Sequence, residues 1–119
     1  PNILPVALWD YVGGYSIEFS PGLYSDPDFS MKLWLAGVRY FKGVSKSRAY
    51  HFGSKSVQRV KRNKGYHQFI YKWGFTSSLL TKHMLHRGED WTGPLPEFVK
   101  TTKLKWKNKL KQLLSVWSR

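Results

Sequence analysis

Apolar residues recur along the chain in a pattern that predicts short elements separated by glycine turns. Residues 5–12 form an apolar element that stops at Gly13-Gly14, a pair typical of a turn or a close backbone approach. Residues 15–19 alternate weakly between apolar and polar side chains and are predicted as a short strand. The first third of the chain is therefore expected to hold two short elements around a tight turn.

The sharpest boundary signal is the start of a helix at Ser25-Asp26-Pro27-Asp28. Proline is favoured in the first helical turn, and a Ser or Asp before it is expected to cap the free N–H groups. The apolar positions that follow recur every three or four residues as far as Gly37, which is expected to end the helix.

The central part of the chain predicts strands and then helices. Residues 38–44 and 47–52 are predicted as two short strands, which need further partners because an isolated pair is marginal in water. Helices are predicted over residues 66–73 and 76–87, with Gly74 between them. The chain lacks enough strands to build a central sheet of its own, which indicates a piece of a larger fold.

The last segment, residues 98–119, is predicted to be a basic amphipathic helix. It carries seven bases and no acid. Its apolar residues fall largely on one helical face: Leu104, Trp106, Leu110, Leu113, Leu114 and Trp117. A helix of this kind is typical of peripheral contact with an anionic membrane, and the alternative is a helix packed on its own domain.

Composition and charge narrow the classes of protein. The chain has 119 residues, a formal net charge of +13 and no cysteine, which excludes disulfides, thiolate metal sites and a cysteine nucleophile. Residues 1–31 carry four acids and no base, whereas residues 32–119 carry all 20 bases and three acids. Bases interleaved with aromatics suit a nucleic-acid-binding module, but the acidic N-terminal third would repel phosphate and disfavours it.

Four blocks of the chain follow one another at residues 9–19, 25–30, 50–54 and 63–74. They contain Gly13-Gly14, Ser25-Asp26-Pro27-Asp28, Tyr50-His51-Phe52-Gly53 and Lys72-Trp73-Gly74. In this order and spacing they resemble the C-terminal half of an inverting glycosyltransferase of the family-2 type: its Gly-Gly acceptor loop, the helix start that carries its catalytic base, its Tyr-His-x-Gly block and its basic Lys-Trp-Gly segment. One departure is that Ser25 stands where the family usually has Glu, which removes a carboxylate beside the base.

This resemblance implies an α/β fold class, the C-terminal part of a GT-A domain that is mostly helical with a few short strands. Residues 1–75 would be the acceptor and catalytic half, without the nucleotide-binding half, and residues 76–119 a C-terminal helical extension. The chain would belong to an enzyme, although this part alone is not expected to be active.

The resemblance also implies roles for individual residues. Asp26 would be the general base, with a plain helix cap as the alternative, and His51 would bind a divalent metal, Mn²⁺ or Mg²⁺, with a structural histidine as the alternative. Acceptor contacts are expected from Trp9, Gly13, Gly14 and Asp28. Diphosphate contacts are expected from Lys55, Arg59 and Arg62, which as a charge run could equally form a solvated face.

The expected partners are a nucleotide-sugar donor and a glycan or lipid-linked acceptor. The expected location is the cytoplasm, at the inner face of the membrane if residues 98–119 contact lipid. The alternative function is a basic module that binds nucleic acid or a membrane surface without catalysis.

Overall fold

Helices make up the regular structure of the part of the chain described in the computed structural model, namely residues 2–44, 46, 50, 63–99 and 101–117. A 3-10 turn, Ile17–Phe19, follows the first helix, and a π-helical turn, Leu80–Met84, continues the fourth. The α-helices are α1 (Val6–Val12), α2 (Ser25–Leu35), α3 (Gly65–Trp73), α4 (Ser77–Leu79) and α5 (Thr102–Trp117). In these ranges no helix combines the length and apolar character needed to cross a bilayer.

The turn predicted after α1 is confirmed, and the strand predicted at residues 15–19 is wrong. Gly13 and Gly14 have φ angles of 73° and 56°, the left-handed region that glycine tolerates best. The next residues form the 3-10 turn because the Ser20 N–H bonds to the Ile17 carbonyl at 2.9 Å. Phe19 is buried while Ile17 is exposed, so alternate side chains share no buried face.

The predicted helix at residues 25–37 is confirmed as α2, but its N-terminal cap is not the one expected. Tyr24 is the N-cap residue, with φ of 73°, and no side chain caps the helix. Ser25 instead donates its hydroxyl to the Gly22 carbonyl at 2.7 Å. The helix therefore begins early enough to place both Asp26 and Asp28 in its first turn.

Gly37 ends α2 in the manner that the sequence predicts. Its φ is 85°, and its N–H bonds to the Trp34 carbonyl at 3.1 Å. The Val38 N–H reaches back to the Leu33 carbonyl at 3.0 Å. These two bonds form a Schellman motif, which satisfies carbonyls at the helix end.

The predicted strand at residues 38–44 is not formed, and no strand occurs in the described ranges. A single backbone bond of 2.8 Å joins the Leu95 N–H to the Arg39 carbonyl. One such bond does not make a ladder, and a strand requires a partner along its length. The strand predicted at residues 47–52 lies outside the described residues, apart from residue 50. The mostly helical character is thus confirmed, whereas the short strands are absent from the described part.

The C-terminal helices follow the prediction more closely. The helix expected at residues 66–73 is α3, and Gly74 ends it with φ of 71°. The helix expected at 76–87 is shorter, because α4 passes into the π-helical turn that ends at Met84. The amphipathic helix expected within residues 98–119 is α5.

One hydrophobic core joins the two predicted segments, 1–75 and 76–119. Trp34 packs in this core beneath the Arg39 guanidinium, which lies 4.0 Å from the ring centroid. The core therefore rests α2 and α3 on the helices that follow residue 75. Its buried members are Phe19, Met31, Trp34, Phe69, Phe75, Leu79, Leu80 and Met84.

Candidate active site

The exposed carboxylate of Asp26 lies in the first turn of α2 and is the centre of the candidate site. The Tyr15 hydroxyl donates a hydrogen bond to its Oδ1 at 3.1 Å. Partial burial and the neighbouring Asp26 charge both raise the pKa of Tyr15, so the phenol keeps its proton at neutral pH. The pair therefore presents a solvent-accessible carboxylate that is held by a neutral donor.

The Gly-Gly turn packs tightly against the Trp9 indole beside this pair. A Cβ atom on Gly14 would lie 2.7 Å from two ring carbons of Trp9, so only glycine fits there. The Lys32 ammonium donates to the Gly14 carbonyl at 2.8 Å and ties the turn to α2. The turn is thus fixed both by the indole and by a charged hydrogen bond.

An aromatic cluster packs beside the Gly-Gly turn and Asp26. The ring centroids of Trp9 and Tyr15 are 5.1 Å apart, and each ring also lies against buried Phe29, at 4.9 and 5.3 Å respectively. The two pairs that include Tyr15 are edge-to-face, an arrangement that stabilises a defined geometry beyond the buried area. Tyr15 is therefore positioned by packing as well as by its bond to Asp26.

Asp28, two residues after Asp26, is fully buried and surrounded by donors. Its Oδ2 accepts from the Ser16 hydroxyl at 2.6 Å, and its Oδ1 accepts from the Trp73 indole N–H at 2.9 Å. The Lys72 ammonium lies 2.9 Å from the same Oδ1. A buried carboxylate needs such partners to offset its desolvation. This enclosed position favours a structural role for Asp28 over the predicted contact with an acceptor.

Lys72 bridges two carboxylates at the centre of this network. Besides Asp28, it contacts the Glu18 Oε1 at 2.7 Å and donates to the Ser16 hydroxyl at 3.3 Å. Burial lowers the pKa of Lys72, but the hydrogen bonds and charges of Glu18 and Asp28 raise it by more, so it stays above its ordinary value. Lys72 is therefore a cation at neutral pH and joins α3 to both α2 and the 3-10 turn.

The start of α3 holds the loop that leads into α2. The Asn63 side-chain amide donates to the carbonyls of Phe19, Ser20 and Leu23 at 2.6, 3.2 and 3.3 Å. The Gly65 backbone approaches the same loop so closely that a Cβ there would lie 2.2 Å from the Leu23 oxygen. The start of residues 63–74 therefore holds the loop before α2, and the end of this segment holds Asp28 in α2.

We expect the Gly65→Ala substitution to destabilise the protein. The new methyl group would collide with the Leu23 backbone carbonyl, which cannot rotate away as a side chain can. Overpacking typically costs about 1–3 kcal/mol, and a lower midpoint of urea unfolding would measure it. Gly43→Ala is the matched control, because a Cβ at Gly43 meets nothing within 4 Å. Equal midpoints for the two variants would contradict the close approach.

The residues predicted to bind metal and diphosphate lie outside the described part of the chain; they are His51, Lys55, Arg59 and Arg62. Within the described part, no group of three or more His, Cys, Asp or Glu side chains is arranged to hold a metal ion. Those four assignments remain predictions. The structure brings Trp9, Gly14, Tyr15 and Asp26 together, with Gly13 at the exposed end of the turn.

The network around Asp28 was not predicted from the sequence. Ser16 had no predicted role, and Lys72 and Trp73 were singled out only as part of the Lys-Trp-Gly block. The available signal was that Asp28 lies three residues before Met31, on a helical face that is buried. A carboxylate on such a face requires donors from elsewhere in the chain.

Comparison with known proteins gives no match: no protein-family model, no curated protein and no solved structure matches this chain.

Proposed function

We propose that the chain is the catalytic and acceptor-side part of an inverting glycosyltransferase with a GT-A fold. The observation that supports this most is the exposed Asp26 carboxylate. Its Oδ1 accepts a hydrogen bond from the Tyr15 hydroxyl, and it shares the first turn of α2 with Asp28, which is held by the buried network. A general base must be both reachable by substrate and held in one place.

In this proposal Asp26 accepts the proton of the acceptor hydroxyl. The acceptor oxygen forms a bond to the anomeric carbon of the donor sugar while the bond from that carbon to the diphosphate breaks, with inversion. Tyr15 occupies Oδ1, so Oδ2 is the oxygen proposed to take the proton. The first turn of α2 stabilises the carboxylate before transfer, and its exposure lets the proton pass to water afterwards.

The acceptor is proposed to lie along the Gly-Gly turn. The exposed backbone of Gly13 and the half-buried Trp9 ring are the groups proposed to contact it, and the Gly14 carbonyl is already bound by Lys32. Asp28 is proposed as a positioning residue that holds α2 through Lys72 and Trp73. The acceptor is proposed to be a glycan or a lipid-linked sugar.

The donor side of the proposal rests on residues outside the described ranges. His51 is proposed to bind Mn²⁺ or Mg²⁺, and Lys55, Arg59 and Arg62 to contact the diphosphate. When bound, the metal would neutralise charge on the departing nucleoside diphosphate. The described residues do not form a metal site by themselves.

The test is release of nucleoside diphosphate from a panel of nucleotide sugars by the longest natural polypeptide that contains this chain. We expect one donor to be hydrolysed slowly without acceptor and faster with it, and a chelator to stop both reactions. Calorimetric titration of single-stranded oligonucleotides would run in parallel. No release of diphosphate from any nucleotide sugar, together with tight oligonucleotide binding, would replace the enzyme with the nucleic-acid-binding alternative.

A further inference from the structure

Helix α5 turns a mainly polar side inward, with Leu104 in contact with the hydrophobic core, and an apolar side outward. Asn108 and Ser115 are only 6% and 2% exposed, and the Gln112 amide donates to the Tyr71 carbonyl of α3 at 2.9 Å. Trp106, Leu110 and Leu113, which we call the apolar stripe, are 72%, 60% and 57% exposed. A helix that served only to cover its own domain would present these two sides the other way round.

The apolar stripe is narrow and lies opposite the packed side. With 3.6 residues per turn, its three side chains fall within about 60° of one another. Exposed lysines flank it on both edges, Lys103 and Lys107 on one and Lys105 and Lys109 on the other. The helix contains no acidic residue. The outward face is therefore an apolar strip between two rows of positive charge.

This arrangement matches the chemistry of an anionic lipid surface. A tryptophan and leucines enter the boundary between headgroups and acyl chains, while lysines on both edges keep their ammonium groups among anionic headgroups. A second copy of the chain suits the face less well. Two stripes packed together would bring four rows of lysines into contact, without an acid on α5 to pair with them.

We propose that α5 lies in the plane of an anionic phospholipid surface, with the apolar stripe inserted and the flanking lysines on headgroups. Helix α3 then lies between α5 and the network around Asp28. Its Tyr71 contacts α5, and its Lys72 and Trp73 contact Asp28. The proposal rests on the packing of α5 alone and does not depend on glycosyl transfer.

The experiment is flotation of the purified full chain with vesicles of phosphatidylglycerol mixed with phosphatidylcholine, against vesicles of phosphatidylcholine alone. The wild type is expected to bind the mixed vesicles, more weakly at high salt because exposed charges are screened. We expect the triple variant Trp106→Gln, Leu110→Gln, Leu113→Gln to bind the mixed vesicles with about 100-fold lower affinity. The variant lacks the three apolar side chains whose transfer from water into lipid favours binding.

The matched control replaces three exposed apolar residues elsewhere by glutamine, at Ile3, Leu35 and Val99. It should bind as the wild type does, and circular dichroism should give both triple variants the wild-type helix content. Brominated acyl chains should quench wild-type tryptophan fluorescence more than that of Trp106→Phe.

Three outcomes would overturn the proposal. One is the absence of wild-type binding at low salt. Another is equal binding by the stripe variant and the wild type, which would reduce the contact to plain charge attraction. The third is loss of oligonucleotide binding in the stripe variant with vesicle binding intact, which would assign the face to nucleic acid.

Discussion

The Asp26→Asn variant is expected to transfer sugar about 10²–10⁴-fold more slowly than the wild type, the usual loss when a general base is removed. Asparagine has nearly the same shape and still offers an oxygen to the Tyr15 hydroxyl, which donates to Oδ1 at 3.1 Å in the wild type. The substitution therefore removes the proton acceptor and leaves the local geometry in place. Initial rates with the donor found by the panel would measure the loss.

Asp10→Asn is the matched control for this experiment. Asp10 is an exposed carboxylate in the last turn of α1, so the variant makes the same change of charge close to the Gly-Gly turn. It should retain the wild-type rate, and both variants should bind vesicles as the wild type does. If Asp26→Asn transferred sugar at the wild-type rate, the carboxylate would be a helix-end charge and nothing more.

The Lys72→Met variant is expected to lose about 3–5 kcal/mol of unfolding free energy, because it leaves the Asp28 carboxylate buried without its cation. Methionine retains most of the length of the lysine stem, so the loss reflects charge more than volume. Ser16 and Trp73 would remain bonded to Asp28, at 2.6 and 2.9 Å in the wild type, and they keep the expected loss within this range. Urea unfolding at neutral pH would measure it.

The control for Lys72 is a double-mutant cycle with Asp28→Asn. Once residue 28 is neutral, loss of the lysine should cost far less, and the difference gives the coupling free energy. The effect should also depend on pH. The pKa of Lys72 is raised in the folded state, so its stabilisation is complete below the unfolded value near 10.5 and disappears as pH rises through the folded value. Additive losses at neutral pH would contradict a coupled pair.

Local signals in the sequence predicted the helices well, and interactions between distant segments were harder to predict. Gly37 and Gly74 end helices because each adopts a left-handed φ, and a sequence shows such residues directly. The hydrogen bond from Trp73 to Asp28 joins residues 45 positions apart, and no local sequence pattern predicts it. The strand at 38–44 failed for the same reason, because strand formation depends on partners elsewhere.

In α5, the local spacing predicted the helix but not the side that packs on the rest of the chain. The spacing of its apolar residues predicted a helix and one apolar face, and the helix is confirmed. The face that packs on α3 instead carries Asn108 and Gln112, which bury polar side chains against that helix. Amphipathic periodicity therefore located the outward apolar residues, but it did not tell which side turns inward, and it placed Leu104 with them although Leu104 packs on the hydrophobic core.

The shared core has a consequence for how this polypeptide can change during evolution. The groups proposed to meet an acceptor lie at the Gly-Gly turn and on the neighbouring Trp9 ring, whereas α2 rests on Leu79, Leu80 and Met84, which lie after residue 75. Surface substitutions beside the turn leave the volume of that core unchanged. Acceptor preference can consequently diverge between descendants while the C-terminal helices remain under the constraint of filling one interior.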